Sequence, residues 1–216
     1  MVKGISNPAE YEAWYHTPRG VWISNIEFSL LMKLLPPSPR GTLLDVGCGT
    51  GHFSRLFAET GFEVTGVDPD RTGLSFARSY GARVSYLEGG APALPFPDRA
   101  FDWCSAITSL CFVKNPVRAL VEMWRVSRHG VLLGLLNRRS LLYLTKHERG
   151  AYRGARWDTV ADVVEWCGAL MPSPDVTVRS AVWLPGGGHL ARKLEPCMPA
   201  QPCLGGFLGV GLNKEK

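Results

Sequence analysis

The stretch LLDVGCGTGHFS, Leu43 to Ser54, leaves this chain few folds to choose from. An apolar run passes directly into a glycine-rich turn and then into a helical pattern. A second apolar run, VTGVDPD from Val64 to Asp70, follows at the distance a helix would fill and brings an acid, Asp68, to its end. Buried parallel strands read as continuous apolar runs, and a parallel pair needs a crossover helix between its members. Strand, turn, helix and strand in this order set the glycine turn and Asp68 at the same end of two neighbouring strands. That is where α/β sheets hold nucleoside-containing ligands.

The glycine spacing narrows the ligand. A dinucleotide fingerprint is G-x-G-x-x-G, with a pyrophosphate against the helix N-terminus. Here the glycines are Gly47, Gly49 and Gly51, and the third dinucleotide glycine would fall on His52. A bulky ring there obstructs close packing of helix on strand. Asp45, just before the turn, repels a pyrophosphate but suits a ligand bearing an ammonium group. NAD is disfavoured.

These residues resemble motif I of the class I S-adenosylmethionine-dependent methyltransferases, D-x-G-x-G-x-G, with Asp68 in the place of motif II. ALPFPDRAFDWCSAITSLCFV (Ala93 to Val113) and the following NPVRALVEMWRV are similar to the fourth-strand region and next helix of the type 11 branch, which includes quinone-biosynthesis C-methyltransferases. YEAWYHTPRG, Tyr11 to Gly20, looks like the N-terminal cap of that branch. The resemblance implies an α/β, Rossmann-like fold. Its seven-stranded sheet is mostly parallel with an antiparallel last strand and has helices on both faces. It further implies S-adenosylmethionine as cofactor, S-adenosylhomocysteine as product and a small-molecule acceptor. The alternatives are methyl transfer to RNA or protein, and cofactor binding without turnover. The expected organisation is one methyltransferase domain over residues 1–216: a helical cap at 1–39, a cofactor-binding half at 40–136 and a substrate-side half at 137–216.

Cofactor contacts are expected from Asp45, Gly47, Cys48, Gly49, Gly51, Asp68, Pro69, Gly90, Ala91 and Ile107. A carboxylate at a strand end can accept hydrogen bonds from both ribose hydroxyls, the role expected of Asp68. Asp45 is expected to orient the turn and the cationic end of the cofactor, or to cap the loop backbone. The backbone N–H groups from Gly47 to Gly51 are expected along the path of the methionine carboxylate. Relatives commonly read G-D-A-E-A-L-P-F-P after the third strand, with the aspartate on the adenine amino group. Here Gly90 takes its place, leaving a backbone contact at Ala91. Ile107 ends the fourth strand, at the methyl end of the site. The tetrad D/N-P-P-Y/F of base and glutamine methyltransferases is replaced by Ala106-Ile107-Thr108-Ser109, which argues against a nucleic-acid substrate. Relatives often carry a histidine pair where this chain has Cys111 and Phe112, so no general base is evident. Substrate-side candidates are Tyr11, Trp14, Tyr15, His16, Cys111 and Asn137.

Composition adds exclusions. A formal charge of +5 is mildly basic and scattered, fitting a small anionic substrate as well as a nucleic acid. No apolar run reaches the roughly 18 residues that span a bilayer, and the opening MVKGISNPAEYEAW lacks the apolar core of a secretory signal. The chain therefore reads as cytoplasmic. None of the six cysteines forms C-x-x-C and the histidines do not join them at zinc-ligand spacing, so no metal site is expected. Cys197 and Cys203 are the one pair worth testing for a disulfide.

Periodicity fills in the rest. Ile23, Ile26, Leu30 and Leu34 recur at helical spacing in VWISNIEFSLLMKLL until Pro36-Pro37 stops it, with a Pro-Arg-Gly turn ahead at Pro18 to Gly20. Strands are expected in ARVSYLE, FDWCSAI, VLLGLL, DVTVRSAVWL and GGFLGVGL. Asn115 and Pro116 start a helix with Val117, Leu120, Val121 and Trp124 inward, and Gly130 ends it. Thr159 and Asp162 start another, carrying Val160, Val163, Val164 and Cys167. The stretch PGGGHLARKLEPCMPAQPC reads as a mobile flap or an irregular surface loop.

Overall fold

The computed structural model describes residues 7–36, 41–81, 83–199 and 203–214. Two helices, α1 (Pro8–Tyr15) and α2 (Pro18–Met32), precede the sheet. The alternating region then runs β1 (Gly41–Val46), α3 (His52–Glu59), β2 (Phe62–Asp68), α4 (Arg71–Arg78), β3 (Val84–Glu88), β4 (Phe101–Ile107), α5 (Pro116–Val126) and β5 (Ser127–Leu136). After it come α6 (Leu141–Lys146), α7 (Val160–Cys167), β6 (Asp175–Ala181), α8 (His189–Leu194) and β7 (Phe207–Asn213).

The seven strands form one sheet in the order β3-β2-β1-β4-β5-β7-β6. β1 to β5 pair in parallel, and β7 lies antiparallel between β5 and β6. This is the expected seven-stranded arrangement. The order reverses between β1 and β4, so the loops after these strands diverge and leave a crevice at their C-terminal ends.

Strand alternation divides the core. Leu43 and Leu132 face a cluster with Phe53, Phe57 and Leu74 of α3 and α4 and with Leu31 of α2. Their neighbours Leu44, Val131 and Leu133 face Leu120 and Met123 of α5 and Val163 of α7. Both faces are covered, which is why the central strands carry no polar alternation.

Several boundaries differ from expectation. Pro18 does not break the chain; it is the first residue of α2, with the Thr17 side chain accepting the Gly20 N–H at 3.0 Å. Proline is suited to that position, where its missing N–H costs nothing. α2 ends at Met32, and Pro37 lies outside the described residues. Val121 and Val164 are exposed, and Ala119 and Met123 fill the inward face of α5 instead. Gly130 lies inside β5, where a Cβ would come within 2.2 Å of the Leu212 carbonyl oxygen, so the glycine serves strand pairing and not helix termination.

The segment between β6 and β7 contains α8 and acts as a clasp. Arg19 Nε donates to Pro185 O at 2.9 Å and Arg192 donates to Pro18 O at 2.8 Å, tying the start of α2 to this segment. Glu195 accepts the Val182 and Trp183 N–H groups. Among the described residues, no helix is long and apolar enough to cross a membrane.

Candidate functional site

The crevice is built first by backbone. Gly47 N–H and Cys48 N–H donate to Val67 O, tying the loop after β1 to the end of β2. Gly49 N–H reaches across to Asp68 Oδ2 at 2.9 Å, while Asp70 N–H takes Asp68 Oδ1 at 2.8 Å. Gly47 and Gly51 have φ of 75° and 78°, a conformation that favours glycine. A Cβ at Gly47 would meet Ser109 at 2.4 Å and one at Gly51 would meet the Tyr86 hydroxyl at 2.2 Å, so both are also required by packing.

Gly47, Cys48, Gly49 and Gly51 all spend their N–H groups inside the protein, the last on Cys48 O at 2.8 Å. What faces the crevice is the first turn of α3, whose N-cap, Gly51, has no side-chain capping bond. A helix start in that condition offers N–H groups and a positive end to an anionic group.

Two carboxylates stand beside this turn. Asp68 is 9% exposed, and burial raises its pKa although the N–H groups of Asp70 and Gly49 hold it down. Each oxygen accepts one backbone bond, and a carboxylate has room for about four, so lone pairs remain for a ligand. Asp45 is buried; Ser54 Oγ donates to its Oδ2 at 2.6 Å and Ser105 Oγ to its Oδ1 at 2.8 Å. It caps α3 and β4 hydroxyls and not the loop backbone. Burial pushes its pKa up to about 6 against those two hydrogen bonds.

Around the rest of the crevice, Pro69 is exposed at the head of α4, Cys48 is half-buried with its thiol pushed up by burial, and Ala91 is buried behind Gly90. Gly90 closes a turn through Ala93 N–H at 3.1 Å; its φ is not left-handed and a Cβ there would meet only Pro92, at 3.8 Å. Ile107 ends β4 in the core, and Thr108 follows with φ 49°, unusual for a β-branched residue. Its N–H is held by Gly134 O at 2.7 Å, and Ser109 Oγ donates to Val46 O, so the turn after β4 is pinned to both neighbouring strands.

The cap is anchored over α3. Glu12 of α1 is buried; it accepts Thr50 Oγ1 at 2.6 Å and pairs with Arg55, with His52 at 3.7 Å. Burial pushes the Glu12 carboxyl up, but His52, Thr50 and Arg55 outweigh it and leave the pKa below its ordinary value. Tyr15 stacks on His52 with ring centroids 3.6 Å apart, and Ser24 of α2 bonds His52 Nε2 at 2.7 Å. The histidine that displaced a dinucleotide glycine is thus the seat of the cap.

Of the substrate-side candidates, Tyr11 and Tyr15 come together, hydroxyls 3.2 Å apart, with Trp14 edge-on to Tyr15. His16 is exposed at the end of α1. Cys111 is buried after β4, its thiol donating to Thr108 O, and burial pushes its pKa to about 12. Asn137 is buried and fully engaged: its amide donates to Cys203 O and Gly205 O and accepts Arg139 N–H. It secures the start of β7 and has little left for a ligand. Cys197 and Cys203 are not joined by a disulfide. A shallow cavity of about 340 Å³ lies along Arg138, Leu141, Leu144 and Trp183, apart from the glycine loop.

Sequence reasoning missed Glu12 and Ser24. Glu12 had only its place in an aromatic stretch, since its partners lie about 40 residues away.

The chain is similar to known proteins in sequence and fold. A family described as a methyltransferase domain matches residues 44–135. An uncharacterized protein of Methanocaldococcus jannaschii is 30% identical over 162 residues, covering 72% of this chain and 74% of that protein. The malonyl-[acyl-carrier protein] O-methyltransferase of Pectobacterium atrosepticum is 38% identical over 100 residues, covering 46% of this chain and 40% of that enzyme. The chain spans about half the length of the first curated relatives it matches, 40% and 54%. Among solved structures, a Thermotoga maritima SAM-dependent methyltransferase, described as a possible histamine N-methyltransferase, superposes with a TM-score of 0.76 at 28% identity over 96% of both chains.

Proposed function

The chain belongs to the class I S-adenosylmethionine-dependent methyltransferases, and on that premise we propose that it transfers the cofactor's methyl group to a small organic acceptor. The observation that carries the reading is the pairing of Gly49 N–H with Asp68 across the C-terminal ends of β1 and β2. It holds a desolvated carboxylate at the strand ends with lone pairs to spare. The residues present fit the cofactor: Asp68 for the ribose hydroxyls, the open first turn of α3 for the methionine carboxylate, Asp45 for positive charge, and Ala91 with Leu94 for an apolar adenine face.

Bound S-adenosylmethionine supplies a methyl group already activated by a sulfonium. The protein's work is alignment and exclusion of water, which can supply several kcal/mol of barrier reduction. Asp68 would hold the ribose hydroxyls. Asp45, largely ionised above its pKa of about 6, would supply negative charge to the cationic end. Ile107 and the pinned Thr108 turn form the wall at the methyl end, and the Tyr11–Tyr15 pair closes the site from the cap side. A carboxylate contact to the adenine amino group is missing after β3, since the position that would supply it is Gly90.

The test is a metabolite screen that reads S-adenosylhomocysteine release. Turnover on a small molecule and not on RNA or bulk protein supports the reading; turnover on RNA or protein alone refutes it.

A further inference from the structure

The chain leaving β5 carries a stretch that the cofactor site does not use, RRSLLYL from Arg138 to Leu144. Ser140 caps α6: its Oγ accepts the Tyr143 N–H at 3.1 Å and donates to Asn137 O at 2.7 Å. The cap sets which face of α6 meets the protein. Leu142 is buried in a cluster with Leu136 of β5 and Cys111. Leu141 and Leu144, three residues apart on one side of the helix, are left 48% and 76% exposed. A single exposed leucine is ordinary, but Leu204 is exposed as well, and all three line one recess of about 340 Å³ with Trp183, Arg138 and Arg139. Small-molecule sites occupy roughly 300 to 1,000 Å³, so the recess falls within their range. A second hollow of about 130 Å³ shares Arg139 and Leu204 with it.

The backbone at Trp183 is held firmly. Val182 before it has φ 64°, a conformation that β-branched residues rarely adopt. Glu195 accepts the N–H groups of both residues, and Gly206 N–H donates to Val182 O at 2.9 Å. Such strain persists only where the surroundings enforce it, and ligand clamps are among the places where it recurs.

Charge selects the ligand. No residue lining either hollow is acidic. Arg138 reaches Asp162 Oδ2 at 3.4 Å, an oxygen that also takes the Thr159 N–H and hydroxyl at 2.7 Å each. Arg139 donates its backbone N–H to Asn137 Oδ1, and among the described residues its guanidinium has no hydrogen bond and no ion pair. A free guanidinium matches the two oxygens of a carboxylate, and the leucines and indole beside it match a hydrocarbon.

We propose that this recess binds an amphiphilic organic carboxylate, its head on Arg139 and its hydrocarbon body along Leu141, Leu144, Leu204 and Trp183. One molecule seated in the recess uses all four apolar side chains, whereas α6, only six residues long, offers a bilayer little apolar face. The recess lies apart from the glycine loop, so its occupancy does not depend on the methyltransferase reading.

The experiment is calorimetry on the full chain at about pH 7 with octanoate and 4-phenylbutyrate, and with acetate, octan-1-ol and octylamine as controls. At least one of the two carboxylates should bind one-to-one and roughly tenfold more tightly than acetate or octan-1-ol, and octylamine should not bind. Arg139→Ala and, separately, Leu144→Asp should each weaken that binding roughly tenfold while leaving S-adenosylhomocysteine affinity as in the unaltered chain. Both positions are exposed, so neither change removes a packed side chain. Saturating S-adenosylhomocysteine should leave carboxylate binding unchanged. Absence of one-to-one carboxylate binding, affinity unchanged in either variant, or displacement of the carboxylate by S-adenosylhomocysteine overturns the proposal. Phosphatidylglycerol vesicles that bind a chain indifferent to the soluble carboxylates would assign these residues to a membrane surface and would overturn it too.

Discussion

At the scale of single residues, the proposed cofactor recognition is tested at Asp68, Asp45 and Gly90. Asp68→Ala removes an acceptor for two ribose hydroxyls and should weaken S-adenosylhomocysteine binding by about 2 kcal/mol; an unchanged dissociation constant removes Asp68 from the site. Asp45 has a folded pKa above the ordinary carboxylate value, so the folded chain holds its proton the more tightly. Its contribution to stability is fully present below about pH 4 and is lost as pH rises through about 6. Asp45→Asn should therefore stabilise the ligand-free protein at pH 8, by on the order of 2 kcal/mol, while weakening cofactor binding. A variant less stable at pH 8 contradicts this. Gly90→Asp should tighten adenosyl binding by about 1 kcal/mol, because neither φ nor a close neighbour forbids a side chain there. Weaker binding by the folded variant would mean the turn itself needs glycine. The glycines, Asp45 and Asp68 were legible because the chemistry needs those residue types at one spacing. The partners that tune them were not, since Ser54 and Ser105 are ordinary residues in sequence and acquire meaning only when β4 is laid beside β1.

At the scale of elements, the cap explains His52. α1 is short and has no strong apolar stripe of its own, so its place is set by Glu12 on Thr50 and Arg55 and by Tyr15 on His52. Glu12→Ala would leave Arg55 without its buried acid, a change that typically costs about 3 kcal/mol, and should speed proteolysis within residues 7–20. Because the folded pKa of Glu12 is lowered, this docking is fully present above about pH 4.5 and weakens as pH falls below it. S-adenosylhomocysteine should slow the same cleavage if the cap covers the cofactor. Equal cleavage rates with and without ligand would leave the aromatics as packing alone. The cap was only half legible: the aromatics and Pro18 stand out in sequence, but the proline reads there as a breaker, whereas its position after Thr17 makes it a helix start. The clasp before β7 was unreadable for a similar reason. Its glycines and prolines resemble a loop, and α8 is held by Arg19, Arg192 and Glu195 across long sequence distances.

At the scale of the whole molecule, strand order assembles the site. Five parallel strands point their C-terminal ends one way, so the glycine loop, Asp68, Gly90, Ile107 and Cys111 share one edge of the sheet although Gly47 and Cys111 are 64 positions apart in sequence. The antiparallel β7 is inserted between β5 and β6, which becomes the edge strand. The parallel strands were legible as apolar runs of strand length separated by helices, and the antiparallel last strand only through the resemblance to the methyltransferase family. The cap, the turn at Tyr152 and the clasp were less legible, since none of them carries a fixed spacing. The measurement that bears most directly on the methyltransferase assignment is calorimetric titration of the full chain with S-adenosylhomocysteine and, separately, with NAD. One-to-one binding of S-adenosylhomocysteine and none of NAD is the predicted result; binding of NAD without S-adenosylhomocysteine would contradict it.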